Sequence, residues 1–341
     1  MSINNLIVHE IQKCEGEKKA LLIARPNENP VDGQATLISA QVTNLFNRSG
    51  MNTGRFSNPS GSDTGSQLPN LLSKHFTNNI FADFSLFTKE CAAEYLKYLE
   101  QVEEAEGGLL WFNHFELHDT QFLYIVLLKR KSGIVLSADL SLSQVDQIET
   151  EKLHMALRIN LTAWQSNDEG RYIAFRFGRA PKFEKEYFTQ FIGCDEPKVA
   201  SKETKKLVDL TSAFCQTEEF APKQANTFKK VVSEHCQSKI EDNEPLTMKE
   251  LATEVQAKFS VEQANKFLDI ANSDDFKMEK ELFVEKAALK KLTRLSGSSR
   301  SLTLSFDADL LGESITYDSS SNALTFKDIP KSLLKQLQTL A

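Results

Sequence analysis

Residues 156–193 restrict the fold more than any other part of the chain. Leu157, Ile159 and Leu161 alternate with Arg158, Asn160 and Thr162, the two-residue period of a half-buried strand. Residues 165–170 make a polar turn. Tyr172, Ala174 and Arg176 then alternate with Ile173, Phe175 and Phe177. The pattern breaks at 178–181, after which Phe183, Tyr187, Phe188 and Phe191 recur at helical spacing up to Gly193, a suitable C-cap. Strand, hairpin, strand, helix is the predicted unit. Its charge is one-sided, because Arg171, Arg176, Arg179, Lys182 and Lys185 face only Glu184 and Glu186 between positions 171 and 191. Such a set either grips phosphate or forms a solvated rim around a core hairpin. Residue types leave both readings open.

The flanking sequence predicts more antiparallel sheet. Strands are expected at 6–11 and 19–24 around a polar turn at 15–18. Asp32 can cap a helix carrying Leu37, Ile38, Val42, Leu45 and Phe46. Residues 49–70, rich in Ser, Gly, Asn and Thr, read as a mobile loop with an anchored patch at Gly54-Arg55-Phe56. Phe84, Phe87, Cys91, Tyr95, Leu99 and Val102 form one stripe of a long helix ending near Gly107-Gly108. Segments 109–117 and 121–129 read as strands paired across His118-Asp119-Thr120, with a third strand at 133–137. Hairpins connect most of these pieces and no βαβ crossover repeats. The first domain, 1–194, is therefore expected to be α+β, a largely antiparallel sheet with helices.

A charged segment at 195–206 containing Pro197 is the predicted boundary, and the second domain, 195–341, reads as mainly helical. Leu207, Leu210, Thr211 and Phe214 share one helical face. Pro222 opens a helix with Ala225, Phe228, Val232 and Cys236. Met248, Leu251 and Val255 begin a third helix, and Val261, Ala264, Phe267 and Leu268 a fourth. A helical series through Leu289, Leu292 and Leu295 then runs into a Ser/Gly loop at 296–299. Leu302, Leu304 and Phe306 alternate as a strand, a hairpin turns around 318–322, and a helix over 330–340 closes the chain.

Composition bounds the function classes. With 341 residues, 40% of them hydrophobic, the chain can fill two cores. Its longest apolar run, 122–128, is strand-sized, and the opening MSINNLIVHE lacks the basic and apolar regions of a secretory signal. No membrane partner is expected. Five scattered cysteines with no C-x-x-C fit reduced thiols in the cytoplasm and argue against structural zinc. A formal charge of −7 means that any nucleic-acid contact must come from local basic patches.

Four constellations bear on chemistry. On a strand, His114, Glu116 and His118 share a face, the residue types of a two-His-one-carboxylate metal set, but no further ligand cluster supports them and they read as polar strand-end residues. The chain has no G-x-S-x-G elbow, Walker loop or G-x-G-x-x-G, so neither an enzyme nor a cofactor is expected. The run 246–252 followed by Ser260-Val261-Glu262-Gln263-Ala264 has the rhythm of a helix-turn-helix. Its second helix would offer Glu262, Gln263, Asn265 and Lys266 with no arginine fork, which favours an ordinary helical hairpin. The fourth is the basic run Lys286, Lys290, Lys291, Arg294 and Arg300, in which no acid occurs before Asp307. It abuts the Ser/Gly loop, whose amides and hydroxyls can donate. Phosphate contact needs that combination, and a solvated face would look the same.

Two blocks carry a family resemblance. Ile159-Asn160-Leu161-Thr162-Ala163-Trp164 followed by Arg171-Tyr172 is one. The other is Leu292-Thr293-Arg294-Leu295-Ser296-Gly297 running into Leu302-Thr303-Leu304-Ser305-Phe306-Asp307-Ala308 and Leu310-Leu311-Gly312-Glu313. Together with Leu6, Ile7 and His9 near the start and Gly107-Gly108 before Phe112 and His114, they resemble the NdpA (YejK) family of bacterial nucleoid-associated proteins. The likeness spans nearly the whole chain and is weakest over 49–70. It implies a cytoplasmic, nucleoid-localised protein that binds double-stranded DNA with little sequence preference. It also implies single-stranded RNA binding and partnership with a type II topoisomerase, and it brings no catalytic residues. Where the family's loop is glycine-rich, this chain has Ser298, Ser299 and Arg300, adding a positive charge.

The expected nucleic-acid contacts are therefore Arg171, Arg176, Arg179 and Lys182 in the first domain and Lys290, Lys291, Arg294 and Arg300 in the second. A rival reading is a protein-interaction adaptor, for example to the topoisomerase, with DNA association indirect. The acidic net charge supports it. A homodimer would let an acidic protein gather its patches by avidity.

Overall fold

An eight-stranded antiparallel sheet organises the N-terminal half of the chain. The computed structural model describes residues 2–47, 50–57, 65–166, 170–178, 180–242, 244–279 and 281–340. The chain divides into two compact units, Met1–Lys202 and Glu203–Ala341.

Unit 1 begins with the hairpin β1 (Ser2–Gln12) and β2 (Leu21–Ile23). Helix α1 (Gly33–Phe46) follows, started by Asp32, whose carboxylate accepts from the backbone N–H of Gln34 and Ala35 at 3.0 and 2.9 Å. Strand β3 (Met51–Phe56), helix α2 (Leu68–His75) and the tiny hairpin β4 (Phe76–Thr77) and β5 (Ile80–Phe81) lead into α3 (Phe84–Leu99). The paired strands β6 (Gly108–Leu117) and β7 (Thr120–Leu128) form the sheet centre. Strands β8 (Arg130–Leu136) and β9 (Leu142–Ile148) pair only with each other, as an arm outside the large sheet. The 156–193 region supplies β10 (Met155–Asn160), a short α4 (Leu161–Gln165), β11 (Ile173–Phe177) and α5 (Lys182–Ile192), and β12 (Cys194–Val199) adds an edge. Strand order is β12-β3-β11-β10-β7-β6-β1-β2.

Alternation assigns the two faces. Phe112, Leu123, Ile125, Leu157, Ile159 and Phe175 pack in one cluster with Leu72 of α2, Phe87, Cys91 and Tyr95 of α3, and Tyr187, Phe188 and Phe191 of α5. The opposite face meets α1: Asn113 donates to Ser39 Oγ at 3.1 Å, and the Arg158 guanidinium lies 5.1 Å from the Phe46 ring centre. Both faces of the central strands are therefore covered, and Arg158 is 3% exposed.

Several sequence expectations change here. Within 49–70, residues 51–56 are an inner strand between β11 and β12, because long-range pairing stabilises a segment whose own composition reads as loop. Residues 58–64 lie outside the described set. Helix α3 stops at Leu99, with Glu100 as its C-cap, rather than near Gly107. Strand β10 ends at Asn160, whose side chain accepts from Ala163 N–H at 2.9 Å and starts α4 where continued strand was expected. The segment read as a linker carries β12 and the first turns of the next helix.

Unit 2 has its own core. Helices α6 (Ala200–Thr217) and α7 (Pro222–Asp242) precede a two-residue strand β13 (Leu246–Thr247), then α8 (Met248–Lys258) and α9 (Val261–Asn272). Phe214, Phe228, Val232, Leu251, Val255 and Phe267 fill the centre. Strand β14 (Glu281–Leu282) pairs with β13. The chain then runs through α10 (Lys286–Leu289) and a 3-10 turn (Lys290–Leu292) into the hairpins β15 (Arg294–Ser298) with β16 (Thr303–Asp307) and β17 (Ile315–Asp318) with β18 (Ala323–Phe326). Helix α11 (Lys331–Leu340) is last. Leu295 does not extend the Leu289–Leu292 stripe. It sits in β15, 42% exposed, and the stretch expected to be a Ser/Gly loop is mostly that same strand, paired with β16.

Candidate nucleic-acid interface

The basic run of unit 2 is presented outward by a local device. Leu289 and Leu292 are 1% and 3% exposed and pin the turn to the unit 2 core. In a helical turn the residues between two such anchors face away from them, so Lys290 and Lys291 are exposed, and Lys286 at the start of α10 is exposed as well. Arg294 follows at the base of the β15–β16 hairpin. Its Nη2 donates to Ser305 O at 3.3 Å, and its Nε stands 3.7 Å from Asp307 Oδ1. Both partners are solvent-facing, so the pair is weak and its charge stays accessible to another anion.

Arg300 is placed differently. It lies in the 299–301 turn at the far end of the hairpin, where Ser299 N–H donates to Leu302 O at 2.7 Å. At about 3.3 Å per residue, the hairpin holds it roughly 15–20 Å from Arg294. That exceeds the screening length of about 10 Å at moderate salt. Lys286, Lys290, Lys291 and Arg294 fall within one short exposed stretch of chain, and Arg300 stands apart from Arg294 at the far end of the hairpin.

The expected cations of unit 1 are mostly engaged within the fold. Arg176, on the α1 face of β11, donates through Nη1 to the carbonyl of Leu45 at the end of α1. Arg171 donates to Thr53 Oγ1 of β3 at 3.3 Å. Lys182 opens α5 almost fully exposed, with Glu186 Oε1 at 3.5 Å one turn on. Arg179 lies outside the described residues. Arg158, read from alternation as a solvent-side residue, is instead caught between the Phe46 and Phe122 rings, at 5.1 and 5.4 Å from their centres.

The remaining constellations resolve into structural roles. His114 Nδ1 is 2.8 Å from Asn5 Oδ1 and its Nε2 is 3.0 Å from Gln121 Oε1, so both ring nitrogens are occupied. Burial lowers its pKa, which disfavours the charged ring. His118 belongs to the β6–β7 turn, and among the described residues no three His, Cys, Asp or Glu side chains gather as metal ligands. Burial raises the thiols of Cys215 and Cys236 to about 11 and about 12, which keeps them protonated at neutral pH. The α8–α9 pair opens on a capping box: Thr247 Oγ1 accepts from Glu250 N–H at 3.1 Å, while Glu250 accepts from Thr247 N–H. In α9, Gln263 and Lys266 are tied to Glu218, and Lys266 also to Glu262. With Glu262, Gln263 and Lys266 engaged in this way, Asn265 is left of the four side chains that could read base edges.

Comparison with known proteins gives the family. The family model described as nucleoid-associated protein YejK matches residues 7–334. This chain belongs to the YejK family. Nucleoid-associated proteins of Pseudomonas putida KT2440 and Metapseudomonas resinovorans are each 28% identical to it over 340 residues, covering 99% of both chains. One from Pseudomonas entomophila is 27% identical over the same span. YejK-family membership supports a nucleoid role. Among the described residues no helix is long and apolar enough to cross a membrane. The two sequence blocks that carry the resemblance fall mainly on β10–α4 and on β15–β16, and the second includes the base of the hairpin at Arg294.

Proposed function

We propose that this chain binds double-stranded DNA with little sequence preference, gripping phosphates with Lys286, Lys290, Lys291 and Arg294. The observation that carries the reading is the exposure of these four cations along residues 286–294, with Lys290 and Lys291 turned outward between the buried Leu289 and Leu292. Phosphate contacts position a protein on the duplex without reading bases. The stretch offers one arginine beside three lysines, and its helix, Lys286–Leu289, is only four residues long. An overall charge of −7 makes the attraction local, so binding is a matter of contact at the patch. The same chemistry accepts single-stranded RNA, and competition between RNA and duplex measures the preference. The setting is the nucleoid, in the cytoplasm.

The test is equilibrium binding of the full chain to a random-sequence duplex across a salt series, with Lys286, Lys290, Lys291 and Arg294 changed to alanine in the comparison protein. Each lost phosphate contact should flatten the log–log salt slope by about 0.9, with affinity falling in steps as single changes accumulate. Tight binding with an unchanged slope would move the site elsewhere, with Lys182 next to be changed. Absence of binding at physiological salt would overturn direct recognition. The chain would then be an adaptor to a DNA-bound protein, with a type II topoisomerase the first to examine.

A further inference from the structure

Lys223 and Lys230 belong to none of the constellations described so far. They stand two turns apart on one face of α7, with Asn226 one turn from each. Both are exposed, and neither pairs with a carboxylate among the described residues. Lys229 differs: it is half-buried, and its charge acts on the Cys215 thiol of α6. Phe228, Val232 and Cys236, on the other side of α7, fill the unit 2 core.

The exposed face of α7 borders the basic stretch. The helix packs against α10, the 3-10 turn at Lys290–Leu292 and a second such turn at Ala308–Leu310. Asn226 Nδ2 stands 3.5 Å from Ala308 O, and Ala308 N–H donates to Thr293 O at 2.9 Å, next to Arg294. These contacts lie wholly within unit 2. Packed helical elements run about 8–10 Å apart. Lys223 and Lys230 therefore form one row, about 10 Å long, and Lys286, Lys290, Lys291 and Arg294 form another beside it. Glu234 lies one turn beyond Lys230, Asp309 lies in the second 3-10 turn, and Asp307 already faces Arg294. Cations remain in excess.

Two rows recognise what one row does not. A single strand presents one line of phosphates, which either row can hold alone. A duplex presents two lines, on either side of a minor groove about 6 Å wide, a spacing that flexible lysine stems can span from two rows. We infer, resting on the phosphate grip proposed above, that Lys223 and Lys230 make this chain prefer a duplex to a single strand. They take phosphates of one strand while the 286–294 cations take those of the other. Glu234 then faces the continuation of the first strand and opposes it.

The experiment is equilibrium binding of the full chain to a random-sequence duplex and to one of its single strands, each across a salt series. The α7 variant is Lys223→Ala with Lys230→Ala, and the reference is the fourfold alanine change at 286, 290, 291 and 294. Alanine favours helix and both α7 positions are exposed, so circular dichroism should stay unchanged. The α7 variant should flatten the duplex slope by about 1.8, at about 0.9 for each contact. Duplex affinity should fall at least about tenfold, and single-strand affinity should stay within about twofold. Glu234→Gln should tighten duplex binding alone. Equal losses for duplex and single strand would overturn the inference, since α7 would then add charge without selecting. So would an α7 variant with the wild-type duplex slope while the fourfold change flattens it, and the phosphate grip at 286–294 would then stand by itself. If the fourfold change also leaves duplex binding intact, the grip fails and the inference falls with it.

Discussion

At the scale of single residues, partners decide what a polar side chain does. Arg158 and Arg176 have the same charge as Lys290, yet they hold α1 to the sheet. His9 shows the same capture with a consequence for pH. Its Nδ1 accepts from Arg25 N–H at 3.1 Å, which leaves Nε2–H to donate to Thr88 Oγ1 at 3.0 Å. Burial first, and then the charge of Lys89, lower its pKa to about 4. In the unfolded chain the ring titrates near 6.5, so the unfolded state takes up the proton first as pH falls. The stabilisation is therefore complete above about pH 6.5 and is lost as pH drops towards about 4. Urea midpoints measured across that window should fall by more in the wild type than in His9→Gln. Parallel curves would remove His9 from the account.

At the scale of elements, turns hold much of the information. Asn78-Asn79 and His118-Asp119 each join two strands with both residues left-handed, at φ 51° and 62° and at φ 48° and 60°. This is the backbone of a type I′ turn, which asparagine and glycine adopt more readily than histidine or aspartate. Changing His118-Asp119 to Asn-Gly should stabilise the protein by about 1 kcal/mol, read as a higher urea midpoint at constant slope. A lowered midpoint would mean that those side chains contribute more than the strain they impose. The same scale explains the misread loop at 296–299. Ser, Gly and Ser have weak strand preference, but β16 opposite them supplies a ladder partner, and pairing overrides propensity.

At the scale of the molecule, two cores imply two cooperative transitions. The unit 1 core is built around Phe112, Ile125, Leu157 and Phe188, and the unit 2 core around Phe214, Phe228 and Phe267. Calorimetry should resolve two unfolding steps. Phe228→Ala, which removes a fully buried ring, should destabilise one step by about 3–5 kcal/mol and leave the other in place. A single transition shifted as a whole would show that the units unfold as one.

The sequence by itself determined the elements with strong periods: β6, β7, β11, α5, α7, α8, α9 and the closing hairpin and helix. Hydrophobic spacing, caps and breakers are local, so they can be read without knowing what lies opposite. It also determined that Lys290 and Lys291 would flank buried leucines, because Leu289 and Leu292 sit one turn apart. Only tertiary structure decided that 51–56 is an inner strand, that Arg158 is buried, and that β8 leaves the sheet to pair with β9. It also separated Arg300 from the other cations by the length of a hairpin. Each of these depends on a partner distant in sequence, and free energy gained from long-range pairing and two-sided burial leaves no periodic trace in the segment itself.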